Sequence, residues 1–199
     1  MCSTLKQNGS LPTATLSRYL FQHIKMPRRR KFERDQIKRR LRDYNLKGLT
    51  ASLIGVVLSV YIYQVELKSE EDTSFQAMCD ISERMACTKI FESEYSRGFG
   101  VVGKIFGEDS IMNLSNSLFG VFFYSLIILI SDLTDNLDLA ALQVNISLAG
   151  VAISLYLLYI MIFVIENICV VCATTPLINV FETYYALKKW KILDRNRTH

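Results

Sequence analysis

The sequence predicts an all-α integral membrane protein, a bundle of four transmembrane helices with a luminal loop as a cap between the first and second spans. Three observations predict it. Half of the 199 residues are hydrophobic and the mean hydropathy is positive, which is too apolar for a soluble domain of this length. The apolar residues are gathered into blocks, each approaching the roughly 20 residues that a helix needs to cross a bilayer. The charge is lopsided: residues 1–47 hold 13 Lys or Arg against 3 acids, and the segment from Lys188 holds 5 against 1.

Residues 1 to about 25 mix Ser, Thr and Leu without a long apolar core or a small-residue cleavage site. They read as disordered, and not as a removable signal peptide. The run "MPRRRKFERDQIKRRLRDYNLK", Met26 to Lys47, is strongly basic with acids interspersed. It reads as a juxtamembrane helix drawn to anionic lipid. A nucleic-acid patch is the weaker reading, because a span begins immediately afterwards.

The first span, Gly48 to about Leu67, meets no charge until Glu66. The loop of residues 68–116 follows. A second span runs from about Ser117 to Leu133, and "DLTDNLD", Asp132 to Asp138, makes a tight turn to the third. That span, Leu139 to Ile165, is 27 residues without a formal charge, long enough to cross with some tilt. The fourth, Ile168 to Leu187, is broken only by Glu182, and the "EN" before it forces an antiparallel hairpin. An even number of spans puts both basic termini on one side, which the excess of Lys and Arg assigns to the cytosol. The domains are therefore a cytosolic segment (1–47), a membrane domain (48–187) and a cytosolic tail (188–199), with the loop on the luminal side.

The chemistry lies in the cysteines. Cys2 falls in the cytosolic segment and reads as a free thiol, whereas Cys79, Cys87, Cys169 and Cys172 share the luminal side. Four thiols in an oxidising compartment can make two disulfides. In "ENICVVCATTP", Cys169 and Cys172 begin a helix at i and i+3 and project from one face. A helix N-terminus favours a thiolate and raises its reactivity. The C-x-x-C loop is too short to staple much, so redox chemistry is favoured over structure. Metal binding is disfavoured, because His23 and His199 lie in the terminal segments. Cys79 and Cys87 would be about 12 Å apart along a straight helix, beyond the roughly 7 Å limit of a disulfide. Either the loop bends between them, or they bond elsewhere, or they remain mobile thiols that shuttle to another pair.

These cysteines, with "RGFG" (Arg97 to Gly100), "DSIMNLSNSLFG" (Asp109 to Gly120), "SLAG" (Ser147 to Gly150) and "CVVCATT" (Cys169 to Thr175), give the chain its resemblance to the vitamin K epoxide reductase family. The resemblance covers roughly Gly48 to Lys189. It implies a warfarin-sensitive type of enzyme in the endoplasmic reticulum membrane, reducing vitamin K 2,3-epoxide and the quinone with its own thiols. That chemistry serves the vitamin K cycle and gamma-carboxylation, or luminal disulfide formation.

By the same resemblance, Cys169 and Cys172 are the catalytic pair, with Cys172 facing the substrate. Cys87 and Cys79 are the electron shuttle, re-reduced by a thioredoxin-like luminal oxidoreductase. Asn116 hydrogen-bonds a substrate carbonyl, where an amide donor stabilises developing negative charge. Phe91 and Phe119 enclose the substrate ring, and Gly98, Phe99 and Gly100 fall where the family rests a loop on the membrane surface. No permanently bound cofactor and no metal are implied.

Pro176 departs from the family pattern, in which a tyrosine hydroxyl meets the second carbonyl. Proline has neither hydroxyl nor N–H. Epoxide turnover and coumarin binding lose that contact, and quinone reduction is the less affected reaction. The alternative reading is a catalytically weakened four-span protein that pairs with an active paralogue. A four-span adhesion protein fits less well, because one cysteine pair starts a helix. Among the glycosylation patterns, Asn8 and Asn196 read as cytosolic, Asn145 as buried in a span, and Asn113 as luminal but close to the second span.

Overall fold

The computed structural model describes residues 13–72, 75–82, 84–107, 110, 113–132 and 136–197, with side chains from residue 31 onward apart from Asp132. The expectations for residues 1–12, among them Cys2 and Asn8, lie outside the described residues, as do those for Asp109, His199 and the side chain of His23. Two compact units divide the chain, Met1–Arg40 and Leu41–His199. The described part of the first is helix from Thr13 onward, where disorder was expected up to about residue 25.

Six α-helices make up the described chain: α1 (Thr13–Glu71), α2 (Cys87–Phe91), α3 (Val102–Phe106), α4 (Asn116–Asp132), α5 (Leu137–Phe163) and α6 (Val170–Arg197). Short 3-10 turns lie at Glu94–Ser96 and Gly98–Gly100. Among the described residues there is no strand, only the isolated bridges Ser82 to Met85 and Arg97 to Ser115.

Two helical stretches, Lys31–Glu71 and Leu137–Phe163, are long and apolar enough to cross a membrane, and Asn116–Ser131 is apolar but shorter. In α6 the apolar half is diluted by Thr174, Thr175, Asn179, Glu182 and Thr183.

Within the second unit, the long helices meet at small residues. A Cβ on Gly55 would lie 2.6 Å from the Tyr124 ring, one on Gly120 2.6 Å from Ser59 Oγ, and one on Gly150 2.3 Å from Phe123. These contacts bring α1 against α4 and α4 against α5, the close backbone approach that small residues permit in apolar surroundings. The "SLAG" motif owes its glycine to this approach. From α6, Asn179 Nδ2 donates to Gly150 O at 3.1 Å, and its Oδ1 accepts from Tyr124 Oη at 2.8 Å.

Polarity is inverted relative to a soluble protein. Ser52, Gln143, Ser147, Asn179 and Glu182 are buried, whereas Val57, Phe122, Leu129, Phe163 and Leu177 are exposed. A water-soluble fold buries its large apolar side chains. An apolar exterior around buried polar groups that bond mostly to one another suits a chain solvated by lipid.

Candidate functional site

The bend between Cys79 and Cys87 is built by Asp80. Its carboxylate accepts from Ala77 N at 3.0 Å, from Thr88 N at 3.1 Å, and from the Thr88 hydroxyl. Burial opposes the charge, but the Thr88 side chain and the backbone amides of Thr88, Ala77 and Cys87 outweigh it and hold Asp80 below its ordinary carboxylate range. The chain doubles back, and the Cα atoms of Cys79 and Cys87 come to 5.9 Å in a disulfide. Of the three arrangements open to these cysteines, the bent loop is the one adopted.

Before the second cysteine pair, α5 closes with Ile165 N donating to Ile160 O, and Asn167 N to Met161 O. Glu166 takes φ 56°, turning the chain in the hairpin that the short "EN" break demanded. Ile168 N then donates to Arg84 O at 3.0 Å, which ties the start of "CVVC" to the Cys79–Cys87 loop. Cys169 stands immediately before α6, and Cys172 N donates to Cys169 Sγ at 3.3 Å. The first cysteine thus caps the helix that carries the second, a position where backbone donors favour a sulfur anion.

Cys87 Sγ lies 2.8 Å from Cys169 Sγ, and both residues are fully buried. Val65, Ala77 and Met161 surround them, with Phe75, Phe91 and Leu158 at the edge. Apolar packing keeps water from the sulfurs. Cys169 and Cys172 are free thiols. The sulfurs of Cys79, Cys87 and Cys169 lie within 4.8 Å of one another, but two of them are spent in the disulfide. A metal is bound by thiolates, so this arrangement suits exchange between pairs, in which a thiolate attacks a disulfide sulfur.

Beside the sulfurs is a cavity of about 420 Å³, lined by Cys172 and Thr175 of α6, Asn116 and Phe119 of α4, and Phe91 of α2. That volume lies within the roughly 300–1,000 Å³ of small-molecule sites. All three residues expected around the substrate therefore line it, together with Cys172 but not Cys169. Phe99, expected on the membrane surface, also lines the cavity, its ring centroid 5.1 Å from that of Phe119.

Phe99 holds φ 57° between Gly98 at φ 51° and Gly100 at φ 70°. A Cβ on Gly100 would lie 2.3 Å from Tyr95 Cδ1, and one on Gly98 2.5 Å from Asn113 Oδ1, so "RGFG" is a backbone requirement. Asn113 is packed under this turn, which disfavours its modification.

Asn116 has structural partners that its type alone did not reveal. Its Nδ2 donates to Tyr95 O at 2.6 Å, and its Oδ1 accepts from Phe99 N at 2.8 Å. An amide carries two donor hydrogens, so one remains beyond the bond to Tyr95. Pro176 is buried within α6 and does not line the cavity. Sequence reasoning missed Asp80 and Glu66. The first left a weak local signal, an acid beside a loop cysteine, and the second broke the polarity of the first span.

Helices with a polar interior and an apolar exterior, enclosing two cysteine pairs at exchange distance beside a cavity, define a membrane thiol–disulfide protein. The chain belongs to the vitamin K epoxide reductase family, whose sequence model matches residues 48–187. It is 40% identical over 139 residues to mouse vitamin K epoxide reductase complex subunit 1, covering 70% of this chain and 86% of that one. The rat protein of the same name is 39% identical over 131 residues, or 66% and 81% of the two chains.

Proposed function

We propose that this protein reduces vitamin K quinone, and vitamin K 2,3-epoxide, at the expense of its own thiols. The observation that carries the reading is the 2.8 Å approach of Cys87 Sγ to Cys169 Sγ beside a cavity reached by Cys172. Cys172 adds to the substrate as a thiolate, and Cys169 closes the disulfide, so two electrons pass to the bound ring. A quinone leaves as hydroquinone. An epoxide leaves as quinone, its oxygen departing as water. Cys87 then attacks Cys169 and releases Cys172, Cys79 attacks Cys87 and releases Cys169, and the Cys79–Cys87 disulfide so formed is reduced by a thioredoxin-like luminal oxidoreductase. The remaining amide hydrogen of Asn116 serves the substrate carbonyl, and Phe91 and Phe119 hold the ring.

The setting is a four-span bundle in the endoplasmic reticulum membrane, with both basic termini in the cytosol and residues 68–116 capping the luminal end. The basic termini and the inverted polarity support a membrane setting with the termini on the cytosolic side.

The test is turnover of vitamin K quinone and epoxide by membranes carrying the protein, with dithiothreitol, beside Cys172→Ala and Pro176→Tyr. Both reactions are expected, and both are lost with Cys172→Ala. Quinone turnover alone, with epoxide turnover gained in Pro176→Tyr, narrows the enzyme to a quinone reductase. No turnover of either substrate overturns the proposal in favour of a weakened partner of an active paralogue.

A further inference from the structure

Reduction of a quinone consumes two protons as well as two electrons. When Cys172 reacts as a thiolate, its own proton has already left, and the substrate oxygen needs another. Among the described residues that line the cavity, Glu66 is the one carboxyl group. It sits near the end of α1 and is only 3% exposed. Its Oε2 accepts from the hydroxyls of Ser115 and Ser117, the latter at 3.0 Å. Its Oε1 is buried without a partner. A buried carboxyl with one oxygen saturated and the other bare is poised to place an O–H on something that enters the cavity.

The same carboxyl has a route to water. One helical turn further, Glu70 pairs with Arg97, and both side chains are about half exposed. The Arg97 backbone pairs with that of Ser115 in an isolated β-bridge, which sets the Ser115 hydroxyl against Glu66 beside this exposed ion pair. The charged or titratable groups that bear on Glu66 are Arg97 from the cap, Glu70 from its own helix and Cys172 from α6.

We propose that Glu66 is the proton donor to the substrate oxygen, recharged from water along the Ser115 and Arg97–Glu70 face. The inference rests on the reductase reading. In the step, the Cys169–Cys172 bond forms and two electrons pass to the quinone. Cys169 releases its proton as that bond closes, and one substrate oxygen takes it up. Glu66 gives a proton to the other oxygen, and its carboxylate is reprotonated by the equivalent that Cys172 released to water. The sum is dithiol plus quinone to disulfide plus hydroquinone. This acid also gives the cavity a proton source that Pro176 does not offer.

The experiment uses full-length protein in membranes with vitamin K quinone and dithiothreitol across a pH series, comparing the wild type with Glu66→Gln and Glu66→Asp. Gln preserves an acceptor for both serines but holds no transferable proton. Glu66→Gln is expected to lower kcat about 100-fold with little change in KM, and to flatten the loss of rate at alkaline pH. Glu66→Asp is expected to recover part of kcat and keep the pH dependence. Labelling of Cys172 confirms that each variant is folded, and where Glu66→Gln does not accumulate, Glu66→Asp carries the test. Wild-type kcat in Glu66→Gln at every pH overturns the proposal. So does a loss of kcat with an unchanged pH profile and no recovery by Asp, and so does Glu66→Asp with wild-type kcat when it stands alone. A wild type that turns over no quinone overturns the reductase reading itself, and this assignment with it.

Discussion

Two buried glutamates mark two regions of this molecule, and they are partnered differently. Glu182 lies about 15 Å further along α6 than Cys172, taking 1.5 Å of rise per residue. Both of its oxygens are engaged: Gln143 Nε2 donates to Oε1 at 3.0 Å and Ser52 Oγ to Oε2 at 3.3 Å. Gln143 also donates to Ser131 Oγ at 2.8 Å, and Lys189 Nζ reaches Asn45 Oδ1 at 2.8 Å and Ser131 O at 3.2 Å. Gly48 leaves room for the carboxylate, since a Cβ there would lie 3.2 Å from Oε2. This cluster joins α1, α4, α5 and α6, and none of its hydrogen-bonded residues lines the cavity. Glu66 keeps one oxygen bare beside a cavity that Cys172 also lines. The same side chain, buried in the same apolar shell, holds helices together where it is saturated and is available for chemistry where it is not.

The contrast is broken most severely by Cys172→Ala. Quinone turnover should fall by about 10³-fold or more, while the thermal midpoint in detergent stays near that of the wild type. A large drop in midpoint would show that the region around Cys172 is as structural as the Glu182 cluster. The converse substitution is Gln143→Leu, which strips the donor from Glu182 Oε1. It should cost about 1–3 kcal/mol of stability, read as a lowered midpoint, with the turnover of the folded fraction unchanged.

A smaller effect is expected from Gly100→Ala. An L-residue in the left-handed region costs about 1–2 kcal/mol, to which the contact with Tyr95 adds. The Gly98–Gly100 turn should open locally, seen as faster alkylation of Cys172, without loss of the helical signal. The smallest is the pH response of Asp80. Its folded pKa is depressed, so its contribution is present above the unfolded value of about 3.9 and is lost as pH falls through the folded value. Pepsin should therefore cut the Cys79–Cys87 loop of the wild type only at the acid end of a series from about pH 5 downward. Asp80→Asn should be cut across the whole series, and equal cutting of the two would sink the role given to this carboxylate.

Much of this was legible in the sequence because it was local. Apolar blocks of adequate length became helices, with α5 at Leu137–Phe163 against an expected Leu139 to Ile165, whereas α1 already begins at Thr13 and α6 continues to Arg197, beyond the expected Gly48 and Leu187. "RGFG" and "SLAG" announced their glycines, and the C-x-x-C pair announced a helix start. Asn136, within the polar "DLTDNLD", caps α5 by accepting from Asp138 N at 3.2 Å.

The sequence by itself determined the helices, the membrane-like composition, and the presence of one thiol pair at a helix start with another in a loop. Those features follow from residue type and short-range spacing. Only the tertiary structure decided that Cys87 would meet Cys169 across 82 positions, that Glu66 would be held by Ser115 across 49, and that Gln143 would saturate Glu182 across 39. It also decided that Asn116 would grip the backbone of Tyr95 and Phe99 while lining the cavity. Periodicity places a side chain on a face of its own helix. Which group completes its hydrogen bonds, and which oxygen is left without one, depends on how the other helices pack against that face.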